Sequence, residues 1–532
     1  MSLQTDCWSE EIPADTAEVG QAILAGDDPY RRVGDEVGHF LRLSDFAVLY
    51  SELGRGAIAP IILSLVTIFQ HLENLPDREA ARWAVMRLDW KYALHVPLAW
   101  SGFHFTTLHY FRVRLLEQGQ ERLVFDQVLN WIRRHGWLKK YGKQRTDSTH
   151  IVGHVARLSR LELVWETLRV VLRALQQAAP VWYEQHIPAA CHEAYSRRQH
   201  DWQLSQDEVA EQMVAAGRDG FWLLDLLDSQ ADEVLLAMAE VQTVRTVWAQ
   251  QFQRQEQQVG VRQQVSGKDI IVSPHETEAR WAEKRGREWQ GYKLHVTETV
   301  AEPGNPSFLT DVDVSAAVDG DSEQIAPIQE RLSQRELRPE EQYTDEGYVS
   351  GPNLAHSQQR GICLIGPAPG DHSRKPSGYR QSDFTLDFER RVAVCPKGRE
   401  SVAWFDFRQA DDGYVGAKIE FGRQCLTCPA YQHCTSGKNG RTLEVSPYYH
   451  LLTARRAEQT TAAFRHQMKQ RVAIEGTLSA AVRKHGARRA RFRGRLKVRL
   501  QYLFTGAAIN LKRLCQALSA PPRVEQKFAV GC

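Results

Sequence analysis

Tyr292-Lys-Leu-His-Val-Thr-Glu-Thr-Val300, then Glu302-Pro-Gly-Asn-Pro306, then Phe308-Leu-Thr-Asp-Val-Asp-Val314 is the stretch whose reading decides the fold. Apolar and β-branched residues recur there with a period of two, and the Pro/Gly/Asn cluster between the runs is a turn signal, so two neighbouring strands are predicted. Reading onward, a helix is expected over about 323–336 and a strand at Glu341-Gln-Tyr-Thr-Asp345. A helix over 352–360 and a strand at Ile362-Cys-Leu-Ile365 follow. Reading backward, Trp137-Leu-Lys-Lys-Tyr-Gly-Lys-Gln-Arg-Thr-Asp-Ser-Thr149 predicts a short strand ending at Asp147. That alternation defines an α/β protein with a mixed sheet.

Helical segments surround this core. Residues 1–35 read as a polar, irregular lead-in, and 40–136 as helical, with Ala57 to Phe69 as a buried helix. One helix is expected from Leu75 through Trp90 and a second near Thr106 to Gln118, after a break at Ser101-Gly102. That pair is open to two readings, a helix-turn-helix that reads DNA or two helices merely packed together. Leu161, Val164, Trp165, Leu168, Val171, Leu172 and Leu175 form one apolar helical stripe. Ser205-Gln-Asp-Glu208 is a capping box, and helical pattern runs on to about Gln258. The expected units are a helical domain at 1–136 and an α/β core at 137–150 and 263–366. A helical insertion at 151–262, a Cys-rich insertion at 367–450 and C-terminal helices at 451–520 complete the chain.

Composition excludes little. The 532 residues are 42% hydrophobic and 25% charged with a net charge of +2, ordinary values for a globular chain. The beginning lacks a secretory pattern, and no apolar run reaches the roughly 20 residues needed to cross a bilayer. Nine cysteines, an odd number, argue for reduced thiols or metal ligation. The expectation is a cytoplasmic, nucleoid-associated protein with no membrane partner.

Three acids stand out by position. Asp147 and Asp345 end strands, where α/β sheets place ligand sites, and Glu475 lies within the helical Arg471-Val-Ala-Ile-Glu-Gly-Thr-Leu478. Carboxylates suit Mg²⁺ or Mn²⁺, and two such metal ions side by side can serve in-line phosphoryl displacement. No pattern among the 65 acidic residues selects these three, and a surface or capping role is the plain alternative for each.

The ordered pieces D-S-T-H (147–150), R-L-E-L-V-W-E-T-L-R (160–169), E-A-R-W-A-E-K-R-G-R-E-W-Q-G-Y-K-L-H (278–295) and T-D-E-G-Y-V (344–349) carry a resemblance. So do C-P-K-G (395–398), C-L-T-C-P (425–429), R-V-A-I-E-G-T-L-S (471–479), A-R-R-A-R-F-R-G (487–494) and A-A-I-N-L-K-R-L (507–514). Together they resemble the DDE transposases of bacterial insertion sequences, in the branch with a cysteine-rich insertion before the catalytic glutamate, over about 100–514. The resemblance implies an RNase H-like fold with Asp147 on the first strand, Asp345 after the fourth and Glu475 on the last helix. It also implies two Mg²⁺ or Mn²⁺ ions, with double-stranded DNA (terminal inverted repeats and target) as partner, bound by a homodimer on paired ends. Cleavage at the element's ends and strand transfer would follow. A hydrolytic nuclease without strand transfer and a catalytically inactive DNA-binding descendant are the rivals. The family's upstream arginine matches Arg471, whereas its tyrosine position holds Met468 and its lysine position Val482, with Arg483 or Lys484 as neighbours able to substitute.

Other candidates come from charge and spacing. From Arg483 to Arg499 nine residues are Lys or Arg and none is acidic, which suits phosphate contact by Arg483, Lys484, Arg488, Arg489, Arg491 and Arg493. Arg280, Lys284, Arg285, Arg287 and Lys293, interleaved with Trp281, Trp289 and Tyr292, are a second DNA-binding candidate in which Trp289 stacks on a base or simply packs. His150 reads as structural rather than as a base. Cys395, Cys425, Cys428 and Cys434 suit a structural Zn²⁺, with His433 as an alternative ligand and a metal-free reduced cluster as the alternative reading. Cys363 is expected in the core; Cys7, Cys191, Cys515 and Cys532 show no partner pattern.

Overall fold

A computed structural model describes residues 2–519 apart from 4–7, 52, 156, 203, 257, 266, 285, 374, 376–377 and 410–414. Arg285, Cys7 and Cys532 thus lie outside the described residues.

Five strands build the central sheet: β1 (Lys143–Val152), β2 (Arg287–Thr299), β3 (Leu309–Ala316), β4 (Glu341–Tyr343) and β5 (Cys363–Ile365), in the order β3-β2-β1-β4-β5. β1 and β2 are antiparallel, with Gln144 opposite Thr299, and β2 pairs antiparallel with β3. β1 and β4 are parallel, with Arg145 opposite Tyr343, as are β4 and β5. The parallel connections pass through the helices Ile325–Gln334 and Gly351–Gln359. This mixed sheet is consistent with an RNase H-like fold. A sixth strand, Arg280–Lys284, pairs with the start of β2 and forms a hairpin that the sequence reading lacked.

One apolar core spans the N-terminal helices, the sheet and the C-terminal helix Arg495–Ser519. Pro60–Leu72 is buried almost along its length, so its uninterrupted apolar run is a central helix. Asn510 explains how the last helix grips the sheet. Its carbonyl accepts from Leu309 N and its amide donates to Leu309 O, both at 2.8 Å, so the buried backbone of β3 is satisfied by a side chain. The helical block after β1 has its own core, in which the stripe Leu161 to Leu175 meets Val244, Val247 and Trp248. Ser205 caps the helix Gln206–Gln230 as its box predicts. The cysteine-rich region packs a third core around Phe384, Ile419, Phe421 and Leu443.

Several expectations are corrected. Residues 1–35 are not irregular: Ala14–Ile23 and Pro29–Phe40 are helices. Their signal is weakened by Gly20 and Gly34, which lie so close to Tyr92 that an added Cβ would stand 2.3 and 2.7 Å from its ring. The helix from Leu75 breaks at Arg87 into Asp77–Met86 and Leu88–Leu94. Helical structure ends at Gln251 rather than near Gln258, giving way to a hairpin of Phe252–Gln255 with Gln258–Val261. β1 continues beyond Asp147 to Val152 because its whole length pairs with β2. Glu475 lies on Ala462–Lys484, not on the last helix. Cys363 is exposed, since its side of the short strand β5 faces outward. Among the described residues no helix is long and apolar enough to cross a membrane.

Candidate active site and nucleic-acid surface

The parallel register that sets Arg145 opposite Tyr343 carries Asp147 and Asp345 to matching positions two residues further along. Alternation along strands returns both to the same sheet face. Asp345 lies just past β4 and caps the turn Glu346–Tyr348, its carboxylate accepting from Gly347 N at 3.1 Å. The third acid arrives on Ala462–Lys484, which buries Ile474, Thr477, Leu478 and Ala481 against the body and leaves Glu475 exposed.

Arg471, one turn before Glu475, joins the two elements. Its guanidinium donates to Asp147 Oδ2 at 2.8 Å and to Glu475 Oε1 at 3.0 Å. Asp147 is buried, and that burial pushes its carboxyl up to about 6. Arg471 and the Ser148 N–H work against the rise, while the charges of Asp345 and Glu475 add to it. Burial disfavours the charged carboxylate, and a neighbouring cation offsets that penalty. As folded here, Arg471 supplies that charge. Among the described residues no three His, Cys, Asp or Glu side chains already stand in an arrangement that could hold a metal ion. Asp147 and Glu475 nevertheless offer hard carboxylate oxygens of the kind divalent cations take, with the Arg471 guanidinium standing between the two.

A buried charge network fixes the arrangement. Glu298, fully buried on β2, accepts from Arg145 at 2.7 Å, from Arg513 at 2.7 Å and from Thr477 at 2.9 Å. Arg145 also donates to Gln470 O at 2.9 Å, adjoining Arg471. The sheet, the glutamate helix and the last helix are thus tied at one carboxylate. Asp321 was not anticipated: a Cβ on Gly347 would stand 3.3 Å from both Asp321 Oδ2 and Asp345 Oδ1, so a fourth acid adjoins the site. Its partner is Lys293, at 3.1 Å, whose ammonium also donates to Asp319 O. Nothing in Gly320-Asp-Ser322 sets it apart in the sequence. His150 packs 5.2 Å from the Trp289 ring, and burial, with Arg488, Arg287 and Lys284 nearby, pushes it down to about 4.

The basic run divides into two groups. Arg488 donates to His150 O at 2.7 Å, and Arg491 donates to Leu75 O and to Asn74 Oδ1. Val152 N donates to Arg488 O and Ala490 N to Val152 O, both at 2.8 Å, so this segment is stitched onto the end of β1. Arg483 turns back to Ser479 Oγ. Lys484, Arg489 and Arg493 are exposed and carry their charge to the surface. In the second cluster, Lys293 is committed to Asp321. Trp289 is 8% exposed among Ala282 and Ala317 with its indole N–H on Tyr292 O, so packing against protein occupies it. Trp281, at 42%, is the exposed tryptophan of that hairpin.

Cys395, Cys425, Cys428 and Cys434 line one cavity of about 20 Å³. Burial pushes the Cys434 thiol up, and the other three cysteines add to that rise. Arg399 N donates to Cys395 Sγ at 3.4 Å and Arg441 N to Cys425 Sγ at 3.5 Å.

Residues 394–515 match the family model described as Transposase DDE domain, and residues 18–114 match one described as Transposase domain (DUF772). These matches support a DDE transposase of an insertion sequence. The first contains Glu475, Arg471 and the cysteines; Asp147 and Asp345 fall between the two matched segments. No curated protein and no solved structure matches the chain. A transposase role implies DNA as substrate, and DDE transposases in general use divalent metal ions.

Proposed function

We propose that this protein cuts DNA at the ends of an insertion sequence and joins the freed ends to target DNA, with Asp147, Asp345 and Glu475 as the carboxylates of the reacting centre. The observation that carries this reading is the double salt bridge of Arg471, which links Asp147 and Glu475 although they are far apart in the sequence.

When bound, two Mg²⁺ or Mn²⁺ ions would activate the attacking oxygen and stabilise the leaving one. Asp147 is held on β1 by its pairing with Val296 of β2. Asp345 is oriented by its own turn, and Glu475 rides on a helix whose register is fixed by Glu298 and Thr477. Arg471 is positioned to turn its guanidinium from the carboxylates to a phosphate oxygen, a planar group suited to that exchange. Water attacks the phosphorus, the P–O3′ bond breaks, and a 3′-hydroxyl is left. That hydroxyl attacks a target phosphorus and displaces a second 3′-oxygen, so no covalent bond to protein is needed.

The exposed cations of the basic run would follow the DNA backbone without reading bases. The helices of 1–136 are assigned to end binding, and a homodimer would hold two ends. The test is incubation of DNA carrying the sequences that flank the gene with the protein and Mg²⁺. Cleavage plus joined products supports the reading. Cleavage without joining favours the hydrolytic nuclease, and binding without cleavage the inactive descendant. Asp147→Ala should abolish both products while leaving binding intact.

A further inference from the structure

We infer that the cavity between the helix Thr106–Glu117 and the segment Arg491–Leu500 receives one unpaired nucleotide of a bound DNA strand; this rests on the DNA-processing reading above. The cavity measures about 300 Å³, and its lining contains no acidic residue. His109, His154, Arg493 and Lys497 bring cationic or polarisable groups to it, and all four are exposed. Phe492 forms part of the wall with the Arg112 guanidinium stacked 5.0 Å from its ring centre. Val113, Leu116 and Leu500 supply an apolar floor.

Those ingredients match the two halves of a nucleotide. A base lies against an aromatic or guanidinium plane and apolar side chains, and its phosphate is met by Arg493 and Lys497. An acidic or neutral apolar ligand would use only one half of the site. Duplex DNA cannot present a base to such a cavity unless the base leaves the stack, which costs least where it is unpaired.

Position supports the same occupant. His154 lies two residues past the end of β1, and Val152 is hydrogen-bonded to Arg488 and Ala490, which lead into the cavity's basic wall at Arg491. From Asp147 to Val152 the strand covers about 17 Å at ~3.3 Å per residue.

The test uses the full-length protein and two fluorescein-labelled probes of one mixed sequence, an uninterrupted 30-nucleotide duplex and the same duplex with a central one-nucleotide bulge. Fluorescence anisotropy in EDTA should show the bulged probe bound about tenfold more tightly, on the scale of one base stacked on an aromatic ring. Phe492→Leu, which keeps most of the volume, and Phe492→Ala should both remove that preference while leaving duplex affinity within about twofold. Lys497→Glu should weaken the bulged probe more than the duplex. Equal binding of both probes by the wild-type protein, or a preference that survives both Phe492 variants, overturns the assignment of the cavity. If neither probe binds, the DNA-processing reading fails as well, and that outcome is distinguishable from failure of the cavity alone.

Discussion

Arg471 donates to Asp147 across 2.8 Å although the two residues lie 324 positions apart, and its other terminal nitrogen reaches Glu475. The arginine thus supplies the positive charge between two carboxylates that metal ions would otherwise meet. If guanidinium and metal share those carboxylates, removing one should strengthen the effect of the other. Arg471→Ala is expected to lower the melting temperature in EDTA, and millimolar Mg²⁺ should then raise it more in the variant than in the wild type, since a ligand of the folded state stabilises according to its affinity. Thermal unfolding with and without Mg²⁺ reads this directly. Identical magnesium shifts in both proteins would show that the arginine and the ion do not compete.

Glu298 is expected to matter for assembly of the site rather than for contact with DNA. It is fully buried and faces both Arg145 and Arg513. Glu298→Gln leaves two guanidiniums without their carboxylate, and breaking a buried pair in this way costs about 3–5 kcal/mol. Urea unfolding should show that loss as a lower midpoint with an unchanged slope. A variant as stable as the wild type would mean that the helix bearing Glu475 is held by its apolar face alone.

What the sequence disclosed follows from the range of each signal. Period-two alternation in 292–300 and 308–314 is local, so β2 and β3 are legible, and so is the stripe Leu161 to Leu175 on its helix. The pairing of β1 beyond Asp147 depends on β2, which lies far along the chain, and no window around Asp147 contains it. The N-terminal helices were hidden for a related reason. Gly20 and Gly34 look like breakers until Tyr92, distant in sequence, is seen to require their missing side chains. At the site, family resemblance pointed to Asp147, Asp345, Glu475 and Arg471. Asp321 and Glu298 carry no local pattern, because their roles come from Gly347, Lys293, Arg145 and Arg513 folding around them. Burial likewise turned Trp289 inward while its hairpin neighbour Trp281 stayed exposed, a distinction that composition cannot make.

Stability should depend on pH through Asp311. Burial alone would raise its carboxyl, but Arg331, Arg122 and Arg335 together hold it far below the usual carboxylate range. A depressed folded-state value means that the stabilisation is complete above the unfolded value of about 3.9 and fades as pH falls through the folded one. Asp311→Asn should therefore be less stable than the wild type at neutral pH, with the gap narrowing below about pH 4. Urea midpoints measured from pH 7 down to pH 3 test the sign. A gap that widens on acidification would contradict the assignment of Asp311 as the charged centre of this cluster.

The four cysteines give a prediction that is independent of the DNA chemistry. Their cavity of about 20 Å³ has room for little more than one water-sized body. Its walls carry four sulfurs and two backbone N–H groups aimed at sulfur. Burial pushes the Cys434 thiol up, and the three neighbouring cysteines add to the rise, so its thiolate is disfavoured. A bound Zn²⁺ would reverse this by favouring the thiolates, and its affinity should accordingly fall as pH drops and protons compete. Protein produced with zinc in the medium is expected to carry one Zn²⁺ per chain by elemental mass spectrometry. Cys428→Ser should reduce that content, and prolonged chelation should lower the melting temperature of the wild type but not of the variant. Zinc-free protein whose melting temperature is unmoved by added Zn²⁺ would leave the reduced, metal-free cluster as the correct description, with Phe384, Ile419 and Leu443 alone holding the region together.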